Sequence, residues 1–342
     1  MRFVRDNDPY NIRQEPSYIQ QRPRRSRRFL FIGIALCVAC LAVIGAIVLG
    51  VILVYGIRFR YRNPSQYLPS ITCDVSHATC GCPGRPLTQK NSSSRIVGGQ
   101  DAVENSWPWV VALTTAEDVL NLKTSLNPFC AGFIISDDII ITAAHCLKNV
   151  NSQRLRILTG VHDLRSFVPN SKNTYEVYSI ISHEDYRVTP ENIQLNDIAL
   201  IKLRQKLSGI NNRLCLPSTS STFPKSKIIA VVVGWGKLQA SSSRNSPTLQ
   251  QLVLPIVSDN NAKCKQHVAN SNIQFCAGHE TLHVDSCAGD SGSPLMIVEN
   301  NRYVAAGLVS YGNKQCDSSE SPGIYTRISF YSQWINQTIK RF

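Results

Sequence analysis

Hydrophobic and polar positions divide the chain near residue 57. Residues 29–57 form an apolar run of 29 residues without one charged side chain. About 20 apolar residues suffice for a helix to cross a bilayer, so we expect a transmembrane helix that tilts to fit. A cleaved signal peptide would have a shorter apolar region and a small-residue cleavage site. A buried core helix is the other alternative, and the length of the run argues against it.

Beyond residue 96 the pattern changes to short β-branched and aliphatic runs separated by Gly, Pro, Asn and Ser. Such runs predict the strands of an all-β unit. The clearest are residues 133–135, 139–142, 155–158, 198–203, 228–233 and 303–310. Only residues 330–339 space their apolar side chains as a helix does.

The polar segments complete the predicted organisation. Residues 1–28 are Arg-rich and lack apolar periodicity, which predicts a disordered cytosolic tail. Residues 58–95 form a stem of 38 residues, rich in Pro, Ser and Cys and too short for a large accessory domain. We therefore expect a tail (1–28), a signal-anchor (29–57), a stem with propeptide (58–95) and one large domain (96–342).

The net charge of +13 does not predict nucleic-acid binding, because most of it lies beside the apolar run. Residues 1–95 carry 14 Lys+Arg against 4 acids, whereas residues 96–342 carry 22 against 19. Five arginines precede the run at residues 22–28, and three follow it at residues 58–62. Because positive residues stay on the cytosolic side, this asymmetry predicts a type II, single-pass membrane protein with residues 58–342 outside the cell.

Cysteine usage supports the same orientation. Ten of the twelve cysteines follow the apolar run, an even number that suits five disulfide bonds in an oxidising compartment. Two Asn-x-Ser/Thr sequons, at Asn91 and Asn336, lie on that side and are candidate glycosylation sites. Cys37 and Cys40, within the run, are interpreted as small hydrophobes.

Three motifs carry candidate chemistry: Thr-Ala-Ala-His145-Cys, Asn-Asp197-Ile-Ala-Leu and Asp-Ser-Cys-Ala-Gly-Asp-Ser291-Gly-Ser-Pro. A serine hydroxyl is a weak nucleophile until a neighbouring base takes its proton. Histidine titrates near neutrality, so it can accept that proton and pass it to a leaving amine. An ionised aspartate fixes the imidazole tautomer. The chain order His145, Asp197, Ser291 is that of the chymotrypsin-type triad, and not that of subtilisins or α/β-hydrolases.

From residue 96 to residue 342 the chain resembles the chymotrypsin/trypsin family of serine peptidases. With its anchor it resembles a type II transmembrane serine protease with a short stem. The resemblance implies an all-β fold of two six-stranded antiparallel β-barrels, an active site in the cleft between them, and a C-terminal helix on the second barrel. It assigns catalysis to His145, Asp197 and Ser291, and the oxyanion hole to the backbone N–H groups of Gly289 and Ser291.

The resemblance also implies cleavage after Arg or Lys. Asp285 occupies the position of the acid at the base of the primary specificity pocket, and Gly312 and Gly323 occupy those of its small wall residues. An anionic floor binds a cationic side chain through a charge-assisted hydrogen bond. Ser286 in this position suits Lys as well as Arg, and Ser310 begins the edge segment that pairs with the substrate backbone.

Arg95-Ile96 resembles an activation junction, so we expect a zymogen. Cleavage would free the Ile96 ammonium to pair with Asp290, whose burial without a partner costs several kcal/mol. Before cleavage we therefore expect the Asp290 loop to rest elsewhere and the oxyanion hole to be unformed. Because Arg95 itself suits a pocket with Asp285 at its base, self-activation is a hypothesis beside activation by another protease.

The resemblance also pairs six cysteines, as Cys130–Cys146, Cys264–Cys276 and Cys287–Cys316. The other four beyond the run allow three pairings; they are Cys73, Cys80, Cys82 and Cys215. Cys-Gly-Cys-Pro at residues 80–83 resembles the start of chymotrypsin-like propeptides. We therefore expect Cys80–Cys215 and Cys73–Cys82, which would keep the catalytic unit attached to the stem after cleavage.

Several positions depart from the family pattern. Ala288 stands where Gln is common, Ser293 where Gly is usual, Tyr311 where Trp is usual, and residues 131–133 read Ala-Gly-Phe in place of Gly-Gly-Ser. Those other than Tyr311 lie toward the leaving-group side, which leaves the downstream-subsite preference open. Val161 falls where trypsins place a calcium ligand, so we expect no metal and no cofactor.

The expected partners are protein or peptide substrates with Arg or Lys before the scissile bond, protein protease inhibitors, and the bilayer through residues 29–57.

One alternative is a catalytically weak or inactive homologue that acts as an extracellular binding module. Loss of a triad residue would have favoured it, but all three are present. An α/β-hydrolase esterase is the other alternative. It is disfavoured because Gly-Asp-Ser291-Gly-Ser does not fit the Gly-x-Ser-x-Gly elbow.

Overall fold

The computed structural model describes residues 39–48, 50, 68, 71–73, 78–85, 87, 99–121, 126–169, 172–207, 213–218, 223–279, 285–312, 316 and 321–342. The chain divides into two compact units, Met1–Arg62 and Asn63–Phe342. In the first unit, residues 39–48 and 50 are helical. Within the described ranges, no helix is long and apolar enough to cross a membrane. Most of the expected anchor lies outside them, as do the tail, Asn91, Arg95 and Ile96.

The regular elements of the second unit are mostly strands. The described strands are β1 (Gln100–Asp101), β2 (Val110–Thr115), β3 (Cys130–Ile134), β4 (Ile139–Thr142), β5 (Leu155–Thr159), β6 (Thr174–Ser182), β7 (Arg187–Val188), β8 (Gln194–Leu195), β9 (Ala199–Leu203), β10 (Ile229–Gly234), β11 (Gln250–Pro255), β12 (Gln274–Ala277), β13 (Pro294–Glu299), β14 (Arg302–Tyr311) and β15 (Gly323–Arg327). The described α-helices of this unit are α1 (Ala116–Leu120), α2 (Ala262–His267) and α3 (Ser332–Ile339). Short 3-10 helices span Ala144–Leu147, Ser152–Arg154 and Ile328–Tyr331.

Six strands close into a first barrel, in the antiparallel order β2-β3-β4-β9-β6-β5. β6 shows the two-residue period of a strand with one covered face, since Tyr175 and Val177 are buried while Glu176 and Tyr178 are exposed. β4 is buried throughout, and β9 is buried except at Lys202. β4 and β9 are neighbouring strands of this barrel, and the first two motifs lie at their ends.

A second sheet has the order β1-β11-β10-β13-β14-β15-β12. β12 meets the end of β11, where Ile256 bridges Ala277 and the Val257 N–H donates to Cys276 O at 2.9 Å. Strands β10 to β15 therefore form a second six-stranded barrel, with β1 paired to the start of β11. The third motif lies between β12 and β13 of this barrel.

The helix predicted at the C-terminal end is present as α3, preceded by the 3-10 turn Ile328–Tyr331. The apolar spacing indicated a helix only at this end of the domain, and α1 and α2 form in addition to it. Local capping explains them. The Thr115 side chain accepts the N–H of Asp118, and the Asn261 side chain caps α2 in the same way. Helices of five and six residues are too short to show an apolar period.

Candidate active site

His145 and Asp197 lie at adjoining ends of β4 and β9, two neighbouring strands of the first barrel. His145 follows β4 in a 3-10 helix, and Asp197 precedes β9, the partner of β4. Asp197 Oδ1 accepts the backbone N–H of His145 at 2.9 Å, and Asp197 Oδ2 lies 2.8 Å from His145 Nδ1. Because a carboxylate only accepts, Nδ1 carries the proton and Nε2 is left as the base. Asp197 is 1% exposed, so its charge acts away from water.

Strands of the second barrel also hold Asp197. The Ser310 hydroxyl in β14 donates to Asp197 Oδ2 at 2.5 Å, and Thr326 Oγ1 in β15 donates to the Asp197 carbonyl at 2.9 Å. Ser310 was predicted to be a substrate-pairing residue; the structure shows that its hydroxyl is buried and engaged by Asp197. The acid is therefore oriented by both barrels, and no sequence motif indicated this.

The surroundings of His145 shift its pKa in opposite directions. Burial lowers the pKa of the imidazole, while the charge of Asp197 and its hydrogen bond to Nδ1 raise it, and the net pKa lies above 6.5. Protonation of Nε2 removes the base, so the raised pKa moves the acid limb of the pH–rate profile to higher pH than for an ordinary histidine. The acid limb of the pH–rate profile therefore reports the contact between His145 and Asp197.

Replacing Asp197 by asparagine is expected to lower kcat about 10⁴-fold, because an amide favours the wrong imidazole tautomer. It should also move the acid limb of kcat/KM to lower pH, since burial would then act on His145 without the opposing charge. The pH–rate profiles of both proteins measure this. An unchanged acid limb in the variant would contradict the assigned contact.

Ser291 lies in the turn that precedes β13, and its carbonyl accepts the Ala131 N–H at 2.8 Å. The neighbouring Cys130 is bonded to Cys146, beside His145. The start of β3 therefore contacts both parts of the site, the Ser291 turn through Ala131 and the His145 segment through the disulfide of Cys130. In the described part of the chain no hydrogen bond joins His145 Nε2 to the Ser291 hydroxyl; Nε2 lies 3.7 Å from Cys146 Sγ. Contacts of this kind often form fully only when substrate is bound.

Two backbone donors beside Ser291 are unoccupied. Among the described residues, neither the Gly289 N–H nor the Ser291 N–H has a hydrogen-bond acceptor. The Lys237 N–H donates to Ala288 O at 2.9 Å. Because C=O and N–H point in opposite directions across a trans peptide, this bond turns the Gly289 N–H away from Lys237. Gly289 has φ +100°, which an L side chain rarely adopts.

The carboxylate of Asp290 is held by two backbone donors, Gly236 N–H to Oδ1 at 2.7 Å and Cys287 N–H to Oδ2 at 2.9 Å. Burial raises the pKa of Asp290 to about 6, although both hydrogen bonds lower it. The expectation that this loop rests elsewhere before cleavage stays a prediction, because Arg95 and Ile96 lie outside the described residues. Backbone donors hold Asp290 in place, and its raised pKa allows the carboxyl group to be neutralised by a proton.

A cavity of about 20 Å³ adjoins Asp290 and is lined by Gly234, Gly236, Lys237 and Asp285, among others. A volume of this size holds roughly one water molecule. A single ammonium group is of similar size, so the cavity can accept one small polar group next to the carboxylate.

Asp285 is 4% exposed, and its carboxylate lies next to two glycines, Gly312 and Gly323. The Ser286 N–H donates to its Oδ1 at 2.7 Å. A Cβ atom on Gly323 would lie 2.7 Å from Asp285 Oδ1, and one on Gly312 would lie 3.7 Å from Oδ2. Side chains at these positions would therefore crowd the carboxylate.

The sequence matches the family described as Trypsin over residues 96–335, more than half of the chain. The chain belongs to the trypsin family. It is 32% identical over 276 residues to Ovochymase of Halocynthia roretzi, in an alignment that covers 78% of this chain and 16% of that protein. The chain thus spans about 16% of the length of this curated relative. Residues 96–335 form a trypsin-family domain, and the described residues show the trypsin-like β-barrel fold with a C-terminal helix.

Within this trypsin-family domain and the segment before it, the sulfur atoms form five bonded pairs. These are Cys73–Cys82, Cys80–Cys215, Cys130–Cys146, Cys264–Cys276 and Cys287–Cys316. Cys130, His145 and Cys146 are the one group of metal-ligand residues that the described part brings into mutual reach. Both sulfurs belong to the same disulfide, so neither is the thiolate that a metal requires.

Two of the departures from the family pattern, Ala288 and Ser293, lie in the loop that carries Ser291. Ala288 is exposed and has only a methyl side chain beside Gly289, whereas Ser293 is fully buried. Tyr311 donates its hydroxyl to His267 O at 2.7 Å, so α2 anchors the ring at the predicted substrate edge. The sequon residue Asn336 lies exposed on α3.

Proposed function

We propose that the chain is a membrane-anchored serine endopeptidase, made as a zymogen, that cleaves peptide bonds after Arg or Lys. The observation that carries the proposal is the buried Asp285 carboxylate, which lies between two glycines in the same loop as Ser291. A cation at the end of a long side chain would meet that carboxylate, and the two glycines carry no side chains that would exclude it. Protein substrates follow from the trypsin family.

In the proposed reaction, Ser291 Oγ attacks the scissile carbonyl carbon while His145 Nε2 takes the hydroxyl proton. The N–H groups of Gly289 and Ser291 donate to the oxyanion of the tetrahedral intermediate, and Asp197 stabilises the imidazolium. His145 then gives its proton to the leaving amine, and the acyl-enzyme forms. Water repeats the sequence, attacking the ester as His145 takes its proton, and the acid product and free Ser291 are released.

Activation at Arg95 is proposed on electrostatic grounds. Burial raises the pKa of Asp290 to about 6, which means that the ionised carboxylate is destabilised in this site. A cation beside it would offset that destabilisation. The ammonium group of a new N-terminus at Ile96 would supply that cation. The cavity of about 20 Å³ adjoining Asp290 supports this, because it has room for such a group.

Attachment to the membrane after activation would follow from the bond between Cys80, upstream of Arg95, and Cys215, downstream of it. The apolar run at residues 29–57 supports a signal-anchor, with the cytosolic tail at residues 1–28 and the catalytic domain outside the cell. Glycans on Asn91 and Asn336 would agree with this location. Inhibitor proteins that present Arg or Lys to the cleft are further proposed partners.

Changing Arg95 to glutamine tests the activation step. Wild-type protein treated with a trace of trypsin should gain about 10²- to 10³-fold in activity on an Arg-peptide, the factor that several kcal/mol of carboxylate pairing provides. The Arg95→Gln protein should gain nothing. The cleaved wild type should migrate as one species on a non-reducing gel and as two when reduced. Full activity of Arg95→Gln without cleavage would contradict the zymogen proposal.

A further inference from the structure

The side chain of Asn245 covers the glycine of the proposed oxyanion hole. A Cβ atom on Gly289 would lie 2.7 Å from Asn245 Nδ2 and 2.9 Å from its Oδ1. The amide therefore packs against the face of Gly289 where a side chain would otherwise stand.

Asn245 is itself held from the first barrel. Its Nδ2 donates to Pro128 O at 2.7 Å, and its backbone N–H makes a longer contact of 3.4 Å to Asn127 Oδ1. Pro128 lies two residues before Cys130, whose disulfide reaches the residue next to His145. The amide thus connects the segment that precedes β3 with the loop that carries Gly289.

Glycine tolerates more than one peptide orientation, so the direction of the Gly289 N–H has to be fixed by its neighbours. The described structure provides two contacts at this peptide. The Lys237 N–H holds Ala288 O from one side, and the Asn245 amide lies against Gly289 from another. A flipped peptide would lose the first contact and would have to move past the second.

We propose that Asn245 is a positioning residue for the oxyanion hole, and that its amide, anchored on Pro128 O, keeps the Gly289 N–H directed at the cleft. This inference rests on the proposed function of Gly289. Asn245 does not touch the reacting atoms in this arrangement. Its effect falls on the transition state and not on the binding of the side chain before the scissile bond.

The test compares Asn245→Ala with the matched control Asn260→Ala, which removes an exposed amide that contacts neither Asn245 nor Gly289. After cleavage at Arg95 and active-site titration, Asn245→Ala should lower kcat on an Arg-peptide about tenfold, with KM changed less than twofold. Direct loss of an oxyanion donor costs about 10²- to 10³-fold, so an indirect displacement is expected to cost less. Asn260→Ala should match the wild type.

Two inhibitors separate positioning from general damage. A peptide-arginine aldehyde forms an oxyanion on Ser291, so its Ki should rise about tenfold in Asn245→Ala. Benzamidine needs only the Asp285 pocket, so its Ki should stay within twofold. Asn245→Asp keeps the shape but loses the donor to Pro128 O, and it should lose at least as much kcat as Asn245→Ala.

Unchanged kcat in Asn245→Ala, wild-type kcat in Asn245→Asp, or a parallel loss of both inhibitors would overturn the inference while leaving the proposed function intact. A cleaved wild type that does not hydrolyse Arg-peptides would overturn both.

Discussion

Replacing Ser291 by alanine is expected to lower kcat on Arg-peptides about 10⁶-fold, the size of loss that removal of a triad nucleophile causes. Ser291 is the one residue between Asp290 and Gly292, so no second hydroxyl at that point of the turn can replace it. The Gly289 N–H and the Asp285 pocket remain, so the Ki of benzamidine should not change. Both proteins should be cleaved at Arg95 by an added protease and compared in single-turnover assays.

A matched control for this experiment is Ser243→Ala, because Ser243 is exposed in the loop that follows Lys237. It should retain wild-type kcat. If Ser291→Ala kept activity within about a hundredfold of the wild type, Ser291 would not be the nucleophile, since removing the attacking atom leaves only the binding and oxyanion contributions.

Replacing Asp285 by serine is expected to lower kcat/KM for Arg- and Lys-peptides by about 10⁴- to 10⁵-fold, the discrimination typical of a site built for one polar group. The cation of the substrate would enter a pocket without a counter-charge and remain desolvated. Peptides with Phe or Leu before the scissile bond should lose much less. The four kcat/KM values, measured on wild type and variant, give the result.

Asp163→Ser is the control for charge alone. The Asp163 carboxylate pairs with Arg165 at 2.6 Å at the surface, so its removal changes the net charge by the same amount outside the pocket. Its effect on the four peptides should be within twofold. If Asp285→Ser lowered hydrolysis of all four peptides equally, Asp285 would support the loop and would not select the substrate.

The sequence predicted the parts of the site that lie in short motifs. His145, Asp197 and Ser291 stand among residues typical of their roles, and the order of the three motifs distinguishes triad classes. The strand runs were visible because a buried strand needs β-branched and aliphatic residues in succession, as in β4 and β10. The roles of these residues remain predictions; the structure supplies their geometry.

Other parts of the site could not be predicted because they depend on contacts between distant residues. The Ser310 hydroxyl reaches Asp197 across 113 positions, and the Asn245 amide reaches Pro128 across 117. Neither contact leaves a local pattern, since one hydroxyl or amide among polar neighbours is typical of any loop. Helices α1 and α2 were missed for a different reason. The sequence feature that indicates each of them is local, but it is a single capping side chain.

The same limit applies to the Asp290 loop. The sequence motif predicted that Asp290 needs a partner once it is buried, and the structure provides backbone N–H donors from Gly236 and Cys287. Backbone donors are available at almost every residue, so no sequence feature indicates which ones will turn toward a carboxylate. The cleaved N-terminus is proposed to add the positive charge that these backbone donors do not supply.

The measurement that tests the central claim most directly is hydrolysis by the Arg95-cleaved wild type of four peptides that differ only before the scissile bond. With Arg, Lys, Phe or Leu in that position, the account predicts rapid cleavage of the first two and at least a thousandfold lower kcat/KM for the others, as expected for a buried anionic floor. Preference for Phe or Leu would contradict the assignment of Asp285. Inactivity on all four would contradict the proposed protease.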